Sequence, residues 1–250
     1  MCIRDRYRAK GFILSLFTTA LLFNGGQLFA QNGKVTISES TYLSVNGNFN
    51  ISSILTMKKL NSEATISFIE GSSWTGASAN RFLDGNVMVA HNNPFVFPIG
   101  ANQVYRPIAI SGAAKTTAAF FDRDPAKIRT TVQTSKVIAN STTIQQLNQE
   151  GYWAVDGSKA TALSLTYGVQ TKLEELTGGN LDMLSIIGFR NGQWEVIPST
   201  VDKYAVNTLS HQAETDKSKS SILNGSITTC LLYTSPSPRD ATLSRMPSSA

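Results

Sequence analysis

The chain has 250 residues, 41% of them hydrophobic and 16% charged, with a formal net charge of +5. That length leaves room for one or two domains with sizeable cores, and the balance of apolar to charged residues excludes a largely disordered polymer. Sparse charge with many Thr, Ser, Asn and Gly suits short strands joined by turns.

Met1 to Arg6 (MCIRDR) and the stretch from Cys230 (CLLYTSPSPRD) resemble translated sequencing-adapter sequence. The tail from Thr234 to Ala250 is rich in Ser and Pro, lacks alternation, and reads as unable to continue the strand pattern before it. Residues 1–6 and 230–250 are therefore expected to be non-native. The charge then changes character. Arg4, Asp5 and Arg6 contribute one positive charge, Arg8 and Lys10 two, and Arg239, Asp240 and Arg245 one, which leaves +1 for the remainder. A near-neutral chain without a Lys/Arg cluster offers no footprint for nucleic acid. Both cysteines, Cys2 and Cys230, lie in the suspect ends, so disulfides and thiolate chemistry are not expected.

Residues 7–30 have the order of a secretory signal peptide. Arg8 and Lys10 precede the apolar run Gly11 to Phe23, and Ala30 supplies a small residue at the expected cut. The run is too short and interrupted for a transmembrane span, so the processed chain is expected to be secreted or held at the outer surface, with no membrane-spanning segment.

From 31 to 80 the pattern is one of short alternating segments: Lys34 to Ser38, Tyr42 to Val45, Phe49 to Ile51, Ile54 to Met57 and Ala64 to Ile69. They predict either the stacked coils of a parallel β-roll or a meander, and their spacing defines no period. Gly71 to Asn80 reads as a polar connection that carries Trp74 in a loop.

A second unit is expected over 81–229. Asp84-Gly85 predicts a turn into the strand Asn86 to His91, and Phe95 to Gly112 reads as a strand, a bend at Pro98-Ile99-Gly100, and a partner strand after Pro107. Val87, Val89, Phe95 and Phe97 are expected to line one apolar layer. Thr117 to Phe121 is a further strand. Pro125 then suits the first position of a short helix, Ala126 to Thr130, capped by Asp124.

The order Gly85-x-Val87, Phe95 to Gly100 (FVFPIG), Tyr105-Arg106-Pro107, Phe121-Asp122 with Asp124-Pro125, and Tyr152-Trp153-x-Val155 resembles extracellular proteins exported by the type IX secretion system. That resemblance implies a β-rich surface module, usually followed by a C-terminal sorting domain, and it implies no chemical activity.

In the second half, Leu184 to Arg190 and Gln193 to Ile197 flank Asn191-Gly192, the strongest short-range hairpin signal because both turn positions tolerate positive φ. The register pairs Arg190 with Gln193, Phe189 with Trp194 and Ile187 with Val196, which places Trp194 in the core. Tyr152 to Val155 and Thr161 to Tyr167 read as strands joined at Asp156-Gly157, and Thr171-x-x-Glu174 as a capping box for one helical turn ending near Gly178. The whole predicts an all-β fold: an antiparallel β-sandwich with a short N-terminal β-roll or meander and minor helix.

Candidate chemistry is sparse. His91 and His211 are far apart, and no hydrolase motif frames either. Asp122 and Asp124 have the oxygen chemistry to begin a calcium site, but a turn and a cap explain them more simply. Glu174 and Glu175 diverge on a helix, as solvated charges do. No catalytic, cofactor-binding or metal-binding residue is therefore assigned, and the chain is expected to be a structural or adhesive module of a larger exported protein, not an enzyme. Its alternatives are a carbohydrate-binding module, with Trp74 and Trp153 as candidate stacking platforms for an extracellular polysaccharide, or the non-catalytic part of a secreted hydrolase.

Overall fold

A computed structural model describes residues 22–24, 28–31, 34–37, 42–57, 64–112, 115–125, 144, 146–157, 161–190, 193–202, 225–229 and 240–245. Strands dominate it, in agreement with the all-β expectation.

The N-terminal strands are too short to be stable alone, so the chain stacks them coil on coil. β1 (Leu22–Asn24) and β2 (Leu28–Gln31) precede the first coil, which consists of β3 (Lys34–Ile37), β4 (Tyr42–Val45) and β5 (Asn48–Asn50). The second coil is β6 (Leu55–Met57), β7 (Thr65–Phe68) and β8 (Ser73–Thr75), and the third opens with β9 (Leu83–Asp84) and β10 (Asn86–Val89). β3, β6 and β9 pair in parallel, as do β4, β7 and β10, and likewise β5 with β8. Parallel stacking on three sides settles the choice between roll and meander in favour of the roll. It brings Leu43, Ile66 and Val87 into register, although 23 and 21 residues separate them. β1 and β2 run antiparallel to β4 and β3.

Gly85, read from sequence as part of a turn into the next strand, forms the corner between β9 and β10. A Cβ there would stand 2.5 Å from the Met57 Cβ, which is fixed to the backbone of β6, so glycine is what lets the chain pass this close to the previous coil. The stretch carrying Trp74 differs from the loop read from sequence: it is strand β8, with Trp74 opposite Phe49, and the indole is 2% exposed.

After β10 the pairing becomes antiparallel. β11 (Phe95–Phe97) pairs with β14 (Ile108–Ile110), and the bend between them holds a small hairpin, β12 (Gly100–Ala101) with β13 (Val104–Tyr105). Its two turn residues, Asn102 and Gln103, both have positive φ, as a twist-matched two-residue turn requires. β15 (Thr116–Phe121) runs antiparallel to β10, and β17 (Tyr152–Gly157) to β15. The strand β16 (Gln146–Leu147) precedes β17.

β18 (Leu163–Tyr167) does not pair with β17. Asp156 and Gly157 remain in β17, opposite Thr117 and Thr116, while β18 joins β14 in the facing sheet. The expected turn is thus a crossover between layers. One helical turn, α1 (Leu173–Thr177), follows and ends at Gly178 in the left-handed region, as read from sequence. β19 (Leu184–Arg190) and β20 (Gln193–Ile197) form the predicted hairpin in the predicted register. β21 (Ser199–Asp202) and β22 (Gly225–Thr229) complete the second sheet.

The last strand is a departure. The tail, read as unable to continue the strand pattern, carries β23 (Asp240–Arg245) between β17 and β19. Main-chain pairing is open to any residue but proline, so neighbours on both sides can impose a strand where side-chain alternation does not.

Two layers result. One sheet has the order β1-β4-β7-β10-β15-β17-β23-β19-β20, with β16 also on β23, and the other has the order β11-β14-β18-β22-β21. Val87 and Val89 come from the first and Phe95 and Phe97 from the second, and all four share one core with Trp153, Leu163, Leu165, Ile186 and Ile227. The same core takes in Leu43, Ile66 and Phe68 of the coils. The Phe68 ring sits 6.3 Å from that of Phe49 and 5.2 Å from that of Phe95, bridging roll and sandwich. Phe68→Ala should therefore lower stability by roughly 3–5 kcal/mol. Urea unfolding followed by both fluorescence and circular dichroism should keep a single shared transition, whereas two separated transitions would show that the roll and the sandwich fold apart.

Candidate functional site

The Arg106 guanidinium lies in the middle of an otherwise apolar run, Val104 to Ile110, and the structure buries it to 7% exposure. A buried cation needs compensating dipoles or charge. Nη1 donates to the Tyr105 carbonyl at 3.3 Å, and Nη2 donates to Gln170 Oε1 at 3.2 Å and Thr171 Oγ1 at 3.4 Å. Gly168 stands beside it, and a Cβ there would approach Nη1 to 3.0 Å. Burial pushes the guanidinium down to about 10, opposed by the negative fields of Glu150 and Asp122, so it stays charged at neutral pH.

The main chain of the same segment is equally engaged. The Arg106 carbonyl accepts from Trp153 Nε1 at 3.1 Å, the Pro107 carbonyl accepts from Thr166 Oγ1 at 2.7 Å, and the Arg106 N–H donates to Ile99 at 2.9 Å. Tyr105-Arg106-Pro107 thereby ties the bend after β11 to β17, to β18 and to the turn at 168–171.

That turn is one wall of a cleft. Thr171, Lys172, Glu175 and Leu176 face Gln146 to Glu150 across a space of about 140 Å³. Lys172 enters it from the left-handed region, φ 50°. The expected capping box does not form: Lys172 caps α1 without a side-chain bond, and Thr171 Oγ1 instead accepts from the Gly168 N–H at 3.2 Å and from Arg106. The buried arginine outcompetes the helix end for the threonine oxygen. Amides, carboxylates and one ammonium suit hydrogen bonding to a hydroxyl-rich ligand. The volume is small beside the ~300–1,000 Å³ of ordinary small-molecule pockets, which favours a shallow contact over an enclosing pocket.

The sequence-derived candidates fall elsewhere. Trp74 is no stacking platform, because its indole is buried and Nε1 donates to the Val96 carbonyl at 2.7 Å. Trp153 is buried against Phe120 at a centroid distance of 5.2 Å. Both are core residues, and the apparent exposure of Trp74 in sequence came from Ser73 and Thr75, which alternate to the other side of β8. The side chain of Trp194 lies outside the described residues, as do His211, the turn Asn191-Gly192 and the expected helix Ala126 to Thr130.

β10 ends at Val89, short of the strand to His91 read from sequence, and His91 follows it at 6% exposure. Its Nδ1 accepts from the Asn93 N–H at 3.2 Å, and its ring meets Phe95 edge-on at 5.6 Å. Asp122 accepts from Asn102 Nδ2 at 2.7 Å, and among the described residues no group of three or more His, Cys, Asp and Glu side chains could hold a metal ion. Glu174 and Glu175 are exposed, as solvated charges. No described helix is long and apolar enough to cross a membrane. Sequence reasoning passed over Arg106, for which the available signal was a lone charge between apolar strand residues.

Comparison with family models, with curated proteins and with solved structures returns no match.

Arg106→Met keeps the bulk and removes the donors, and should cost roughly 2–3 kcal/mol in urea unfolding, within the range for hydrogen bonds to a charged group. An unchanged midpoint would show that the three bonds stabilise nothing. Burial lowers the His91 pKa, with the field of Glu70 and the Asn93 bond opposing it. The unfolded chain therefore takes up this proton first, and stability falls as pH drops below the ordinary value near 6.5 towards the lower folded value. His91→Asn, which retains an acceptor for Asn93, should flatten that limb of a thermal-midpoint profile measured between pH 4 and 8; a superimposable profile would assign the acid sensitivity to other groups.

Proposed function

We propose that this chain is a non-catalytic structural or adhesive β module of an exported, surface-held protein. The observation that carries the reading is the continuous core from the roll into the sandwich, which commits Trp74, Trp153, Phe68, Phe95 and Phe97 to packing and joins the two parts through one apolar layer. The leader pattern of 7–30 and the resemblance to type IX secretion substrates support export. Removal of the leader after Ala30 would take away β1 and nearly all of β2, and the roll would then begin at β3. The test is expression with the leader intact in a Gram-negative host, with sequencing of the N-terminus of the processed protein. A mature end at Gln31 outside the cytoplasm is expected; an uncleaved chain retained in the cytoplasm contradicts export, and turnover of any polysaccharide or peptide in a substrate panel contradicts the non-catalytic role.

A second reading, saccharide binding, is favoured by the polar cleft and no longer by the tryptophans. Gln146, Asn148, Glu150 and Glu175 offer amide and carboxylate partners to sugar hydroxyls. On a glycan panel it predicts saturable binding that Gln146→Ala with Glu175→Ala weakens by about tenfold or more, and an absence of binding would eliminate it.

A further inference from the structure

β17 and β19 do not touch through their main chains. The strand between them, β23, runs antiparallel to both, with Trp153 opposite Ala241 on one side and the six pairs from Leu184–Arg245 to Phe189–Asp240 on the other. β16 also reaches it, at Gln146–Arg245 and Leu147–Ser244. The neighbours show what chemistry this position asks for. Leu184 and Ile186 of β19 belong to the core between the sheets, while Ile187 and Phe189 belong to a second apolar cluster on the opposite face, with Ile144 and Leu147. β17 shows the same two-sidedness: Trp153 and Val155 face the main core, and Tyr152 stacks on Phe121 at 5.0 Å on the other face.

An interior strand with both faces covered reads as a nearly continuous apolar run. Tyr152-Trp153-Ala154-Val155 and Leu184 to Phe189 follow that rule, and Asp-Ala-Thr-Leu-Ser-Arg does not. The register sets Arg245 opposite Leu184 and Thr242 opposite Ile187. Position and occupant disagree in chemistry while agreeing in backbone geometry, so the slot is defined by its walls and not by the segment in it.

We propose that the groove between β17 and β19 is a strand-acceptor site, whose fitting occupant is an extended donor strand of about six residues, apolar on both faces, supplied by a partner polypeptide. Main-chain bonds to β19 give such a strand its affinity, and the alternating side-chain positions on the two apolar clusters give it selectivity. Asp240–Arg245 occupies the groove by backbone pairing with β16, β17 and β19. The assignment does not rest on export of the chain.

The test uses the full chain carrying Ala241→Pro and Leu243→Pro, which removes main-chain donors from β23, and a labelled synthetic peptide, Lys-Val-Ala-Val-Leu-Val-Ile-Lys, read by fluorescence anisotropy. Saturable binding is expected, at least tenfold tighter than for the matching peptide with Asp-Ala-Thr-Leu-Ser-Arg at its centre, together with slowed hydrogen exchange of the amides of 184–189. Equal affinity for the two peptides, no saturable binding, or unchanged exchange in β19 overturns the proposal. If the proline variant does not fold, the intact chain with Thr242→Val and Ser244→Val decides it. A thermal midpoint raised by about 2–4 °C or more is expected, and an unchanged or lowered midpoint overturns the acceptor site.

Discussion

The structure depends on one strand serving two kinds of sheet. β10 pairs in parallel with β7, as the third coil of a roll, and antiparallel with β15, as a member of a sandwich. A roll ending at β7 would leave an open edge of unpaired N–H and C=O groups, and a sandwich beginning at β15 would leave another. β10 closes both. Because its inward residues, Val87 and Val89, lie between Ile66 and Phe68 on one side and Ala118 and Thr116 on the other, the two architectures share a hydrophobic layer as well as a backbone ladder. Neither the short parallel strands nor the open sandwich edge then has to be stable alone.

The second organising feature is the Tyr-Arg-Pro segment. A charged side chain amid apolar strand residues is costly to bury, and here the cost is offset by three donated hydrogen bonds and the fields of Glu150 and Asp122. The adjacent carbonyls hold Trp153 and Thr166. Parts of the short motifs that carry the resemblance to surface proteins thus converge physically: Ile99, Tyr105 to Pro107 and Trp153 meet around one joint. The cleft beside Thr171 borders the turn at 168–171 that Arg106 holds.

What could be read from sequence followed the range of the interaction responsible. The hairpin of β19 and β20 was legible to the residue, because Asn191-Gly192 and the flanking alternation are local signals. The strand, bend and partner strand from Phe95 to Ile110 were legible for the same reason. The parallel coils were visible only as short alternating segments, since the stacked positions are 28 residues apart at Leu55 and Leu83 but 21 at Ile66 and Val87. Trp74 was misread because Ser, Gly and Thr around it look like a loop, although they are the outward positions and corners of a coil. Thr171 was misread because a capping box is a local rule, and the competing partner, Arg106, is 65 residues away. The same long-range logic governs β23, where the flanking strands impose an extended backbone on a segment without strand alternation.

The functional reading rests on the same joint, since a module that displays or spaces other domains needs roll and sandwich to move as one body. Native-state hydrogen exchange of the β10 amides, Asn86–Val89, tests this most directly. Exchange as slow as that of β15, governed by global unfolding, is the predicted result. Fast local exchange in β10 beside a protected β15 would show two units joined by a hinge, and would contradict the account.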